Sequence, residues 1–167
     1  MSDPLAYFLT WTCYGTWLHG DQRGSVDRLH NTLDSPLLLP QPARRQAAAA
    51  RMVAEPVELT PDRRSVVERA IRDHGRHRGW SLLALNVRTN HVHVVVACPP
   101  DVRPEHVLAQ FKAWATRRLR EARLVPPDAL VWSHHGSTRW INDRAGVETA
   151  VAYVTEGQGA ERFERER

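Results

Sequence analysis

Two imidazoles stand two residues apart in His91-Val92-His93, at the head of the β-branched run HVHVVVAC (91–98). On a strand, positions i and i+2 point to one side with their Cα atoms roughly 7 Å apart, a spacing over which two neutral imidazoles can close on one metal ion. The preceding run, WSLLALNVR (80–88), reads as a partner strand joined through a tight turn at Thr89-Asn90. A hairpin symmetric about that turn sets Arg88 opposite His91, Val87 opposite Val92, Asn86 opposite His93 and Leu85 opposite Val94. One face is then apolar, with Leu83, Leu85, Val87, Val92, Val94 and Val96, while the other gathers Asn86, Arg88, His91 and His93. Metal binding and a plain solvated polar face both satisfy that pattern, and two ligands are too few to complete a metal centre.

A phenol is the second reactive group. Toward the C-terminus Val147, Ala150, Val151 and Val154 form an apolar helical stripe, and at ~100° per residue Tyr153 lies roughly 110° from its centre, on the flank with Thr149 and Glu156. From there a ring can pack along the helix edge while its hydroxyl enters a cleft; an ordinary amphipathic boundary tyrosine would look the same. Beyond it, Gly157 or Gly159 can supply a left-handed C-cap, and Glu156 and Gln158 each carry an oxygen that could complete a site or merely cap the helix.

The elements that must position these groups follow from local signals. LAYFLTWTCY (5–14) reads as a strand. Residues 18–58, punctuated by Gly20, Gly24, Pro36, Pro40, Pro42 and Pro56, read as an irregular insertion with one short helix near Ala43–Val53. Thr60-Pro61-Asp62 predicts an N-cap with proline in the first turn of a helix that runs to about Arg78 and ends near Gly79. Residues 104–122 set Val107, Leu108, Phe111, Trp114, Ala115 and Leu119 on one stripe. Val131-Trp132 or Thr138–Ile141 supplies a fourth strand, and Asn142 or Asp143 caps a last helix reaching Gly157. The order β-α-β-β-α-β-α is the ferredoxin-like, RRM-like α+β plan, an antiparallel sheet with helices on one face. The open face needs a cover, and the tyrosine-bearing C-terminal helix is expected on or near it. Residues 1–160 read as one domain and 161–167 as a charged tail.

Composition bounds the function. The chain has 167 residues and a formal charge of +4, with 23 basic residues of which all but Lys112 are arginine. A guanidinium binds phosphate through a planar fork, and a basic surplus with six Trp suits a nucleic-acid partner. No apolar run approaches the roughly 20 residues that span a bilayer and no signal-peptide pattern opens the chain, so a soluble, cytoplasmic protein with no membrane partner is expected. Cys13 and Cys98 have neither zinc-ligand spacing nor disulfide density and are expected as reduced core thiols.

Taken together, His91-Val92-His93 on a hairpin strand, a later helix with Tyr153, and Gln158 just after it resemble the single-tyrosine HUH transposases, the insertion-sequence-200-like enzymes and REP-associated tyrosine transposases. The likeness extends over FLTWTCYGTWLHGD, VRTNHVHVVV, KAWATRRLR, GSTRW and AYVTEGQG. It implies a divalent ion, Mg²⁺ or Mn²⁺, held by His91, His93 and Gln158, and a Tyr153 nucleophile that cuts single-stranded, hairpin-flanked DNA through a 5′-phosphotyrosine. In many relatives the third ligand stands four residues after the tyrosine, which is Gly157 here; Gln158 follows by one, and Glu156 is its competitor. Relatives act as homodimers with exchanged tyrosine helices or as monomers.

DNA contacts are expected at Asn86 and Arg88, along Lys112, Arg117 and Arg120 on the second helix, where Thr116 and Arg118 lie close by, and at Arg139. The segment from His134 to Trp140 reads as a polar loop entering the fourth strand. Trp11, Trp17 and Trp140 could stack unpaired bases or lie in the core, while Trp114 falls on the apolar stripe. His30 and Asp27 show no ligand spacing. Two rival functions remain at this level: a non-catalytic single-stranded DNA- or RNA-binding sheet, and a metal-dependent phosphodiesterase that uses water.

Overall fold

The structure is a computed structural model and describes residues 3–15 and 55–156. Most of the 18–58 stretch with its expected helix, Trp17, Asp27, His30, Gly157, Gln158, Gly159 and the tail lie outside the described residues.

Four strands, β1 (Ala6–Cys13), β2 (Ser81–Val87), β3 (His91–Ala97) and β4 (Trp132–Ile141), form one antiparallel sheet in the order β2-β3-β1-β4. Three helices accompany it: α1 (Pro61–Arg78), α2 (Pro104–Glu121) and α3 (Arg144–Thr155). Local chemistry explains their ends. The Thr60 hydroxyl accepts from the Arg63 N–H, Pro61 occupies the first turn, and Gly79 closes α1 at φ 74°, a left-handed conformation that glycine adopts without steric cost. Asp143 caps α3 by accepting from the Gly146 N–H at 2.6 Å.

Alternation along the central strands makes two different faces. Tyr7, Leu9 and Trp11 of β1 pair with Val96, Val94 and Val92 of β3. These six join Val67 and Ile71 of α1 and Val107, Phe111, Ala115 and Leu119 of α2 in the main core. Each fully buried aliphatic side chain there contributes roughly 1.5–3 kcal/mol. Trp11, one of the tryptophans open to two readings, is core at 1% exposure; Trp114 lies at the edge of its stripe, stacked on His74 at 5.1 Å.

The opposite face reads as rows across the sheet. Arg88, His91 and Thr12 form the first; Asn86, His93, Thr10 and Ser137 the second; Ala84, Val95, Phe8 and Arg139 the third; Ala97, Ala6 and Ile141 the fourth. Two rows are polar and two largely apolar. Helix α3 covers the apolar end: Val154 is fully buried with Ala6, Phe8, Ala84, Val95 and Ile141, and Val147, Ala150 and Val151 pack against them. The stripe read from the sequence is therefore the docking face, and the tyrosine helix takes the face that α1 and α2 leave open.

Two expectations need correction. Leu83 does not share the apolar face: the β2–β3 register shifts between Leu82 and Ala84, so Leu82 faces Val96 and Leu83, the extra residue of the bulge, is 41% exposed. Residues 134–140 are not a loop. They belong to β4, whose pairing with β1 shifts between Trp11↔Gly136 and Cys13↔Trp132, leaving Ser133, His134 and His135 in a bulge. Gly136 lets the strands approach: a Cβ there would meet the Thr10 carbonyl oxygen at 2.8 Å and Leu108 Cδ2 at 2.8 Å.

Candidate active site

The hairpin near its turn has the expected register, with Val87 opposite Val92, Asn86 opposite His93 and the Arg88 N–H donating to the His91 carbonyl at 2.8 Å. His91 and His93 consequently share a face, their ring centroids 4.7 Å apart and nearly perpendicular. Each ring is fixed through Nδ1. The Asn90 Oδ1 lies 2.6 Å from His91 Nδ1 and can only accept, so Nδ1 donates and Nε2 is left to face the site. Thr10 Oγ1 lies 2.8 Å from His93 Nδ1. A second hydrogen bond of this kind orients metal-ligating imidazoles through the remaining nitrogen.

His93 is the more enclosed ring. Phe8 stacks on it at 5.8 Å, and burial first, then the charges of His91 and Arg88, push its pKa down to about 3. It is therefore a neutral imidazole with a lone pair through the physiological range, the form a metal requires. Among the described residues no group of three or more His, Cys, Asp or Glu could hold a metal ion. The pair offers two nitrogen donors, and the expected third donor, Gln158, lies outside the described residues. Glu156, the competing oxygen, is exposed at the C-cap of α3.

Tyr153 joins this pair. Its ring meets His93 at 5.8 Å and Phe8 at 5.9 Å, both edge to face, and the residue is 41% exposed. The helix end that carries it is tied down by Asn86, whose Nδ2 donates to the Val154 carbonyl at 3.0 Å. That carbonyl is one of the last four of a helix, which have no partner within it. Asn86 thus faces His93 across the hairpin and also holds the residue next to Tyr153.

Of the other expected contacts, Arg88 stands beside His91 in the first polar row, and Arg139 lies in the third row, exposed, across from Phe8. Lys112, Arg117 and Arg120 are not brought to the histidines, because α2 packs on the other face of the sheet. Lys112 Nζ donates to the Ser133 and His135 carbonyls at 2.9 and 3.2 Å, clamping the β4 bulge, and burial lowers its pKa to about 8. Arg117 and Arg118 bind Glu121 and cover the Trp114 ring, and Arg120 donates to the Ala129 carbonyl. Sequence reasoning missed Phe8, Thr10 and Asn90. The period-2 alternation of β1 was visible, but its register against β3 is a long-range property that no local pattern encodes. Phe8 is 3% exposed beneath α3, so this sheet does not offer the bare central aromatics on which RNA-recognition sheets stack bases. Neither Cys13 nor Cys98 forms a disulfide among the described residues, and no described helix is long and apolar enough to cross a membrane.

Residues 55–154, more than half of the chain, match the family model described as transposase IS200 like. No curated protein matches significantly. Among solved structures the fold is similar to a REP-associated tyrosine transposase bound to a REP hairpin, at 12% identity and TM-score 0.52, with 92% of this chain and 66% of that one covered. This chain thus spans just under two thirds of that protein. A candidate transposase of Deinococcus radiodurans R1 is similar at 16% identity and TM-score 0.49, covering 89% and 88% of the two chains. The family match takes in His91, His93 and Tyr153 together, and the chain belongs to the IS200-like transposase family.

Proposed function

We propose that this transposase-family chain cuts and rejoins single-stranded, hairpin-bearing DNA with Tyr153 as nucleophile, through a 5′-phosphotyrosine. The observation that carries the reading is the half-exposed Tyr153 ring standing edge-on to His93, itself one member of a closely packed histidine pair. Support for DNA as partner comes from the family and from the REP hairpin bound by the structurally similar transposase.

His91, His93 and Gln158 would hold a divalent ion, Mg²⁺ or Mn²⁺, which when bound supplies Lewis-acid polarisation of a phosphate oxygen. The chain's own groups do the rest. Asn90 and Thr10 set the two rings, Phe8 supports His93 from beneath, and Asn86 holds the helix end beside Tyr153. As the Tyr153 Oη–P bond forms, the P–O3′ bond breaks; the phenol loses its proton and the departing strand gains a 3′-hydroxyl. Covalent capture conserves the phosphodiester, so another 3′-hydroxyl can reverse the step and join new ends.

A 3′-labelled hairpin oligonucleotide with single-stranded flanks, incubated with Mn²⁺ and wild-type or Tyr153→Phe protein, tests this. The wild type should give a covalent protein–DNA band and the variant none. Adduct formation that survives the substitution, or no adduct from wild type across a broad hairpin set, overturns the reading.

A further inference from the structure

Arg88 carries an unsolved problem in its own side chain. Its Nε and Nη2 atoms are both buried, and among the described residues neither has a hydrogen-bond partner. These two nitrogens lie on one edge of the guanidinium, and their N–H bonds run parallel as a fork that matches two oxygens of a carboxylate or phosphate. Buried donors of a charged group left without acceptors are costly, more so than neutral ones. A fork in that condition calls for an acceptor from beyond the described residues.

Its address says what arrives. Arg88 is the cross-strand neighbour of His91, fixed by its own backbone N–H on the His91 carbonyl at 2.8 Å. The surrounding groups of the two polar rows are imidazole, amide and hydroxyl, with no carboxylate among them. By contrast, arginines of α1 and α2 are matched with carboxylates of their own helices, as Arg72 is with Glu68 and Arg117 with Glu121. We propose that the Nε–Nη2 edge of Arg88 is a phosphate fork, gripping the two non-bridging oxygens of one DNA phosphodiester that lies against the histidine pair. The proposal rests on the DNA-cleaving reading above, and it adds a specific anion subsite that general basic attraction does not require.

The test needs neither metal nor cutting, so it stays readable even if Tyr153 forms no adduct. In a Tyr153→Phe background with EDTA, binding of a fluorescein-labelled hairpin oligonucleotide is titrated against NaCl for Arg88, Arg88→Lys and Arg88→Gln. Arg88→Gln should weaken binding about tenfold or more and lower the log–log salt slope by about 0.7–1. Arg88→Lys should restore the slope and leave most of the affinity loss, since a point charge replaces a fork. Replacing phosphates one at a time by uncharged methylphosphonates should erase the difference between Arg88 and Arg88→Gln at a single position, at the cut or within one nucleotide of it. Equal affinity and slope in all three proteins would overturn the proposal. So would a penalty that no single methylphosphonate removes, or a lowered melting temperature in Arg88→Gln and Arg88→Lys with DNA binding intact, which would assign the fork to a carboxylate of the chain itself.

Discussion

His93 is restrained on every side that can be named: Thr10 at Nδ1, Phe8 against one ring face, and the edges of His91 and Tyr153. Thr10 is the least obvious of these, and the easiest to remove cleanly. Thr10→Val keeps a β-branched residue in a central strand and deletes only the hydroxyl, so the Mn²⁺ concentration for half-maximal adduct formation should rise about 10–100-fold. Unchanged metal dependence would remove Thr10 from the site. Lys112 offers a test of a different kind. Its pKa of about 8 lies below the ordinary 10.5 because burial penalises the charged amine. The unfolded chain therefore binds more protons here between pH 8 and 10.5, and stability at this site rises with pH across that window. Urea midpoints of wild type relative to Lys112→Met should climb from pH 8 to 10.5; a flat or falling difference would contradict the buried clamp. Both residues show where reading side chains from spacing ends. Lys112 shares a helix side with Arg120, which suggested a phosphate track, whereas its amine is spent on β4 carbonyls. Arg88 and the histidine pair were legible because a two-residue turn fixes their register locally.

The tyrosine helix depends on two kinds of contact, apolar packing of Val154 into the sheet and one amide hydrogen bond from Asn86. The second belongs to the element's placement more than to its existence. Asn86→Ala should cost about 1 kcal/mol of stability, within the usual range for one hydrogen bond, and should slow adduct formation while DNA affinity stays within twofold. A parallel loss of DNA binding would instead make Asn86 a nucleic-acid contact. Element ends were readable wherever the signal is local: the Thr60-Pro61 start and Gly79 stop of α1, and Asp143 before α3. Bulges were not. Leu83 alternates correctly with its neighbours in sequence, and only cross-strand packing rejects it; Gly136 and Ser137 carry turn chemistry, yet close approach to β1 is what the glycine serves. Asn86 was expected to contact DNA; its hydrogen bond to the Val154 carbonyl was not legible for the same reason, since that acceptor comes from a helix that docks far along the chain.

At the scale of the whole molecule, the sheet is divided by function: one face builds the main core with α1 and α2, and the other carries a polar end with the histidines and an apolar end under α3. Because α3 rests on its own sheet, histidines and tyrosine meet within one chain. Mixing equal amounts of Tyr153→Phe and a His91→Ala/His93→Ala variant should then restore no adduct, whereas recovery toward roughly a quarter of the wild-type level, the share of complete sites in randomly paired dimers, would mean exchanged helices between two copies. In the proposed function the +4 charge would set general attraction to DNA and a salt-sensitive affinity, while the chemistry would be confined to a few residues where α3 crosses β3. The most direct measurement is peptide mapping of the product formed on a hairpin oligonucleotide with Mn²⁺. The account predicts a nucleotide remnant on the peptide bearing Tyr153 and a released strand whose 3′-hydroxyl a polymerase can extend. Cleaved DNA with an unmodified protein would contradict it and make water the nucleophile.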